Sequence, residues 1–412
     1  MKQLKIKKII VIIMLVIASI TSLTGCLEHT ELNKLGIVSG IAIDKVDDKY
    51  LFTAQILNPS AIAGEVHNAL PIYTLQGDGT TIQEAYNKLN QLTSSALFLS
   101  HLDVIVIDET FAKSGFAPLL NFALRHAEIR PDINIIVAKD VAASEILNVV
   151  TALDMIPTAQ LNVSQMVQTR TARLTSNNLY EVVDMVNTHA INVVLNAVTI
   201  HHEAKYLDDD VERQNGTDGK THPSGSTIDN ILNIANPVQL RIEHLGVFQA
   251  DSLVGFLDTH EAQLYNMVMG NKKRYAIATE IDEDYYVSAR IRNVDSQITT
   301  DLTNNEATIT MNLDAIILEN TYPIDLTNAE NLKAISEYVK KQVNDDLEKF
   351  LEKVQKELKS DIFGIGNQAY YHENDVWREL EGYWPERFPE LKINVELEVT
   401  IDSVGEIGNV TL

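Results

Sequence analysis

The apolar positions of this chain change their period along its length, and each change marks an element. Leu35 to Asp44 (LGIVSGIAID) is apolar with two glycines. After the polar turn Lys45 to Lys49 comes Tyr50 to Leu57 (YLFTAQIL), so a strand pair is predicted. Gly77-Asp78-Gly79 then breaks the chain. Thr81 with Glu84 forms a capping-box pattern, and Ile82, Ala85, Tyr86, Leu89 and Leu92 fall on one helical face. Leu102 to Ile107 and Ile133 to Ala138 are short, β-branched runs that predict buried strands, with a helix around Leu119 to His126 between them. Strands alternating with helices predict a mixed α/β domain over about 28–200.

Between Lys205 and Asn230 the pattern fails. Asp208-Asp209-Asp210, Asn215-Gly216, Asp218-Gly219 and Pro223 leave little apolar surface to offset ordering entropy, so a linker or long loop is expected. Leu240 to Phe256 reads as two short strands about an Ala250-Asp251-Ser252 turn. From Ala307 to Ile317 apolar and polar residues alternate, as they do again from Leu391 to Ile401, which predicts strands with one buried face. Between these strands Thr327 and Glu330 suggest a second capping box. Leu332, Ile335, Val339, Val343, Leu347, Phe350, Val354 and Leu358 then step by three and four along a helix of about 30 residues. The expected fold class is α+β, with about three mixed α/β domains. In the C-terminal domain an antiparallel sheet is packed by the long amphipathic helix. The expected divisions are a signal peptide at 1–25, an N-terminal α/β domain at 26–203, a polar linker at 204–236, a small middle domain at 237–284 and a C-terminal domain at 285–412.

The first residues change the picture from soluble domain to exported one. Lys2, Lys5, Lys7 and Lys8 precede the uncharged apolar run Ile9 to Ile20, the order of a secretory signal. At about 1.5 Å per residue that run is short for a hydrocarbon core of about 30 Å. Leu23-Thr24-Gly25-Cys26 follows, a lipobox-like sequence of a branched apolar residue, two small residues and a cysteine. Cys26 is therefore the expected lipidation site, cleaved before it and carrying a diacylglyceryl group. It is the single cysteine of 412 residues, so no disulfide can form within the chain.

The formal charge is −24, and loss of the four signal lysines takes it to −28. Such a chain is repelled by nucleic acid phosphates and by anionic lipid heads, so no nucleic acid partner is expected and attachment must come from lipid.

Candidate chemistry is sparse, and no catalytic, cofactor or metal site is expected. His201-His202-Glu203 lacks a second histidine four residues on, as a zinc-binding helix would need. Asp208 to Asp210 lacks the alternating ligands, glycine and closing glutamate of a calcium loop. Gly364-Ile365-Gly366-Asn367-Gln368-Ala369 fits G-x-G-x-x-A but follows a helix, so a helix C-terminal cap and turn is expected. Tyr383-Trp384-Pro385 with Phe388-Pro389 is expected to pack the helix end onto the sheet, and His101 to serve as a structural hydrogen-bonding residue.

Taken in order, five blocks resemble the Ger(x)C lipoproteins, the C subunits of spore germinant receptors. These are Glu31 to Lys45 with Asn58-Pro59-Ser60; His101 to Ile107; Glu128 to Asp132; Leu245 to Phe248 with Leu253 to Leu257; and Lys359 to Gly366 followed by Trp384, Phe388 and Pro389. Leu27, Asp108 and the segment 258–270 depart from the family pattern. The resemblance implies three α/β domains and a non-enzymatic subunit of a nutrient receptor in the spore inner membrane. It also implies two integral membrane partners, of A and B type. The competing reading from the residues is a solute-binding lipoprotein feeding a transporter, which would have two similar lobes around a cleft.

Overall fold

The computed structural model describes residues 12–14, 35–64, 70–149, 156–168, 173–175, 178–188, 190–202, 238–271, 274–282 and 284–403. Cys26 and the expected linker 204–236 lie outside the described residues.

β1 (Leu35–Val46) and β2 (Lys49–Leu57) form the expected antiparallel pair, closed by Asp47 in the left-handed region. Asn58 then caps α1 (Pro59–Ile62), and β3 (Ile72–Gly79) returns along β2. α2 (Ile82–Asn90) begins as expected, with the Thr81 hydroxyl accepting from Glu84 N at 3.1 Å. The Glu84 carboxylate reaches one residue further back than a capping box requires, to Thr80. Next come β4 (Ala96–Phe98), β5 (Val104–Asp108), α3 (Glu109–Ser114), α4 (Ala117–Arg125), β6 (Asn134–Ala138), α5 (Ala143–Ile146), α6 (Pro157–Gln168) and α7 (Leu179–Thr188). β7 (Val194–His202), β8 (Val238–Gln249) and β9 (Ser252–Leu257) complete the first unit.

These strands make one sheet in the order β3-β2-β1-β5-β6-β7-β8-β9, with β4 beside the start of β1. The centre, β1-β5-β6-β7, is parallel and both flanks are antiparallel. α2, α3, α4 and α7 share a core with one face, and α5 and α6 with the other. All five residues of β5 are buried, because a central parallel strand is covered on both sides; hence its continuous apolar run. Asp108, a departure from the family pattern, has a local task. Its carboxylate accepts from Phe111 N at 2.9 Å and from Lys45 N at 3.1 Å, capping α3.

α8 (Thr259–Val268) carries a complete capping box between Asp258 and Glu261, so the second departing segment is an ordinary, well-capped helix. β10 (Tyr275–Asp282), β11 (Tyr285–Asp301), β12 (Glu306–Asn320) and β13 (Lys392–Ser403) form a second sheet in that order. α9 (Ala329–Glu352) runs into a π-helical turn at Lys353–Leu358, which together give the expected long helix. Its Ile335, Val339, Val343, Leu347 and Phe350 share a core with Ile309, Met311 and Leu313 of β12.

Three expectations need correction. The cap of α9 is Asn328, whose side chain accepts from Glu330 N at 2.8 Å, because the Thr327 hydroxyl is taken by Asp325. The sheet is antiparallel through β12, but β13 runs parallel to it. α9 carries the chain back to the end at which β12 began, and alternation reports a half-wet face, not a direction. Finally, 237–284 is divided between the sheets. β8 and β9 extend the first sheet through β7, α8 enters the second core, and β10 is the edge of the second sheet.

Candidate functional site

The two sheets meet at the segment that follows the long helix. Lys359 ends the π turn in the left-handed conformation, at φ 49 and ψ 41. Ser360 and Asp361, next in sequence, are buried against the first sheet. The Ser360 hydroxyl donates to Phe248 O at 2.6 Å, Asn192 N donates to Asp361 O at 2.8 Å, and Gln249 Nε2 donates to Lys359 O at 3.3 Å. The strap 359–361 thus pairs with the residues leading into β7 and with the β8–β9 turn.

The Asp361 carboxylate faces the other way. It accepts from Ile365 N at 3.1 Å, Gly366 N at 2.8 Å and Trp384 Nε1 at 3.0 Å. Those two backbone groups open α10 (Ile365–His372), an arrangement that satisfies helix N-terminal donors and complements the helix dipole. Trp377, on α11 (Asn374–Leu380), and Trp384, on α12 (Trp384–Arg387), meet edge-on at 5.1 Å, with Phe388 beyond.

The glycines of the G-x-G-x-x-A match are therefore not a helix C-terminal cap. Lys359 supplies that turn, while Gly364 takes the left-handed position ahead of α10. Gly366 is demanded by space: a Cβ there would lie 2.6 Å from Trp377 Cη2 and 2.9 Å from Trp384 Nε1. Gly366→Ala is expected to cost about 1–3 kcal/mol through overpacking, read as a lower urea midpoint at unchanged slope.

Burial pushes the Asp361 carboxyl above the ordinary carboxylate range, against the opposing pull of its hydrogen bonds. Burial does the same to Asp44 and Asp108. The folded chain then binds the proton more tightly than the unfolded one. Stability from such a group is fully present below the unfolded value of about 3.9 and is lost as pH rises through the folded value. Unfolding free energy is expected to rise as pH is lowered from neutrality into that window. Urea titrations of wild type and Asp361→Asn across pH should show a shallower rise in the variant.

Beside the strap lies a cleft of about 740 Å³ at the seam of the two units. Ile191, Trp384 and Phe388 wall it, and Asn192, Lys359 and Arg378 bring polar groups to it. Its chemistry is that of a mixed contact surface: apolar walls, amides, and the two cations set beside the carboxylates of Asp361 and Glu381.

The other candidates are dispersed. His201 and His202 occupy the last rungs of β7, opposite Gln239 and Val238, where a solvated lead into the linker was expected. Glu203 and Asp208 to Asp210 lie outside the described residues. Among the described residues no three His, Cys, Asp or Glu side chains are placed to hold a metal ion. His101 is exposed, its ring 5.7 Å from Phe98. Trp384, Phe388 and Pro389 are buried as packing, whereas Tyr383 is exposed. Asn192 and Gln249 carry the joint without having been singled out in the sequence, whereas Ser360 stands in the block Lys359 to Gly366.

This two-sheet α+β fold recurs in a solved structure. The crystal structure of the GerBC protein shares this fold, with a TM-score of 0.54 over 88% of this chain and 96% of that one, at 16% identity. The family described as spore germination protein N-terminal domain matches residues 28–200. The family described as spore germination B3/GerAC like, C-terminal, matches residues 243–405. The chain belongs to this family, the Ger(x)C spore germination proteins. Among its relatives in Bacillus subtilis (strain 168), spore germination protein KC is 24% identical over 96% of each chain. Spore germination protein B3 is 21% identical over 94% of this chain and 96% of that one. Two of the five blocks that carry the resemblance converge on the joint, the one with Leu245 to Phe248 and the one with Lys359 to Gly366 followed by Trp384, Phe388 and Pro389.

Proposed function

We propose that the chain is a lipid-anchored, non-catalytic subunit of a nutrient germinant receptor. A diacylglyceryl group on Cys26 holds it at the outer face of the spore inner membrane, where it works beside two integral membrane subunits of A and B type. The observation that carries this reading is the lipobox Leu23-Thr24-Gly25-Cys26 placed directly ahead of a chain that belongs to a germination family over its mature length. Among the described residues no helix is long and apolar enough to cross a membrane. The solute-binding alternative calls for two similar lobes, whereas these sheets have nine and four strands in unrelated orders.

Deleting the gene in the native spore former, in a background lacking other nutrient receptors, tests the proposal. Germination with at least one nutrient is expected to fail while vegetative growth continues. Normal germination across a broad nutrient panel in that background would refute it.

A further inference from the structure

We infer that the end of the first sheet at which β1 starts is a membrane-contacting surface, and that Ile62, Leu70, Leu92 and Tyr180 there enter the interfacial layer of a phospholipid bilayer. This rests on the lipid-anchor reading and adds an orientation to it. The four side chains are large, apolar or amphipathic, and exposed by 51%, 74%, 63% and 67%. Each is fixed to that end of the sheet. Leu57, the last residue of β2, pairs with Ile72, and Asn58 bonds both Pro71 O and Leu70 O. Ile62 and Leu70 therefore sit together below the β2–β3 pair. Leu92 follows α2 four residues ahead of Ala96, which lies beside Leu35. Tyr180 N donates to Pro131 O and Leu179 N to Ile133 O, which places Tyr180 at the start of β6.

Isolated exposed apolar residues need no explanation, but four gathered at one end of a sheet with strands about 4.8 Å apart do. The exposed Arg130–Asp132 ion pair lies beside Tyr180, as suits a polar head-group layer. The opposite end, at the carboxyl ends of β1, β5 and β6, presents Glu109, Lys139 and Asp140, with Val46 at the end of β1 as an exposed apolar side chain.

The tether selects the occupant. Cys26 precedes Leu35 by nine residues, which reach at most about 30 Å even when fully extended. Lipid on Cys26 therefore holds the start of β1 within that reach of the bilayer at high effective concentration, whereas the far end of this 12-residue strand is under no such bound. With a mature charge of −28 the chain gains nothing from anionic head groups at long range, so contact has to come from apolar side chains.

The test uses the lipidated full chain in vesicles of phosphatidylcholine with a minor share of phosphatidylglycerol. The thioether leaves Cys26 without a thiol, so a cysteine introduced by Leu70→Cys, or in a control by Val46→Cys, is the single site for an environment-sensitive fluorophore. Both positions are exposed, so neither change disturbs the core. Quenching by bilayer-embedded nitroxide lipid is expected to be at least about twofold stronger at position 70 than at 46. Chain that floats with the vesicles yet shows equal quenching at both positions would overturn the orientation and leave the anchor standing. Shielding of position 70 that appears only when integral receptor subunits are added would replace lipid by a protein contact, and so overturn the inference. Chain that fails to float would overturn the anchor reading and this inference with it.

Discussion

Cys26→Ala, in a chain given a signal peptide that is cleaved without the cysteine, is expected to move the mature protein from membranes into the soluble fraction. Germination with its nutrient should fall to the rate of the gene deletion. The effect is large because two acyl chains hold far more strongly than side-chain contacts do. Two acyl chains at about 0.8 kcal/mol per buried CH₂ hold a protein stably, whereas a patch of a few side chains gives weak, reversible contact. The mature charge of −28 opposes binding to an anionic surface, and among the described residues no helix can span. Membrane and soluble fractions of spores, probed for the chain, should show at least about a tenfold redistribution. Retention in the membrane at the wild-type level would mean that protein contacts alone suffice.

Asp361→Ala is expected to be among the most destabilising single changes in the described structure. The carboxylate is fully buried and holds Ile365 N, Gly366 N and Trp384 Nε1, and all three donors would be orphaned in an apolar surround. Each costs about 1–3 kcal/mol when left unpaired, so a loss of at least about 3 kcal/mol follows. That is a sizeable share of an ordinary domain's stability of about 5–15 kcal/mol. Asp361→Asn keeps an acceptor and should cost less. Urea unfolding of the chain from residue 27 onward measures both. The same change should loosen the joint, because the strap residues Ser360 and Asp361 also bind Phe248 O and Asn192 N. Hydrogen exchange at Asn192 should therefore rise more than exchange at Ile105, deep in the first sheet. Equal stability of wild type and Asp361→Ala would show that the buried carboxylate is not what holds α10 and the tryptophans.

How far the sequence reveals this protein depends on how local each signal is. β5 and β6 are legible because central parallel strands are apolar on both faces, and α9 because one stripe repeats over about seven turns. β11 escapes notice for a definite reason. Val287, Ala289 and Ile291 alternate, but a register shift between Ile291 and Asn293 moves the next buried residue to Val294 and breaks the period. β7 mixes Asn196, Thr199 and two histidines into its run, so its pairing with β8 was hidden and 237–284 read as a unit of its own. Direction is also invisible to alternation, which is why β13 was expected antiparallel. Ser360 and Asp361 stand within a recognisable block, yet their partners Phe248 and Asn192 lie more than a hundred residues away, where no periodicity reaches. Cys26 is the reverse case: its role is argued from adjacent residues alone.

The most direct test of the account is to purify the chain from spore membranes in mild detergent, through a C-terminal tag, with its lipid retained. Two integral membrane subunits are expected to accompany it, and mass spectrometry of its amino terminus should show a diacylglyceryl group on Cys26. Recovery of an unmodified chain, or of a chain joined by a transporter permease and ATPase in place of those subunits, would contradict it.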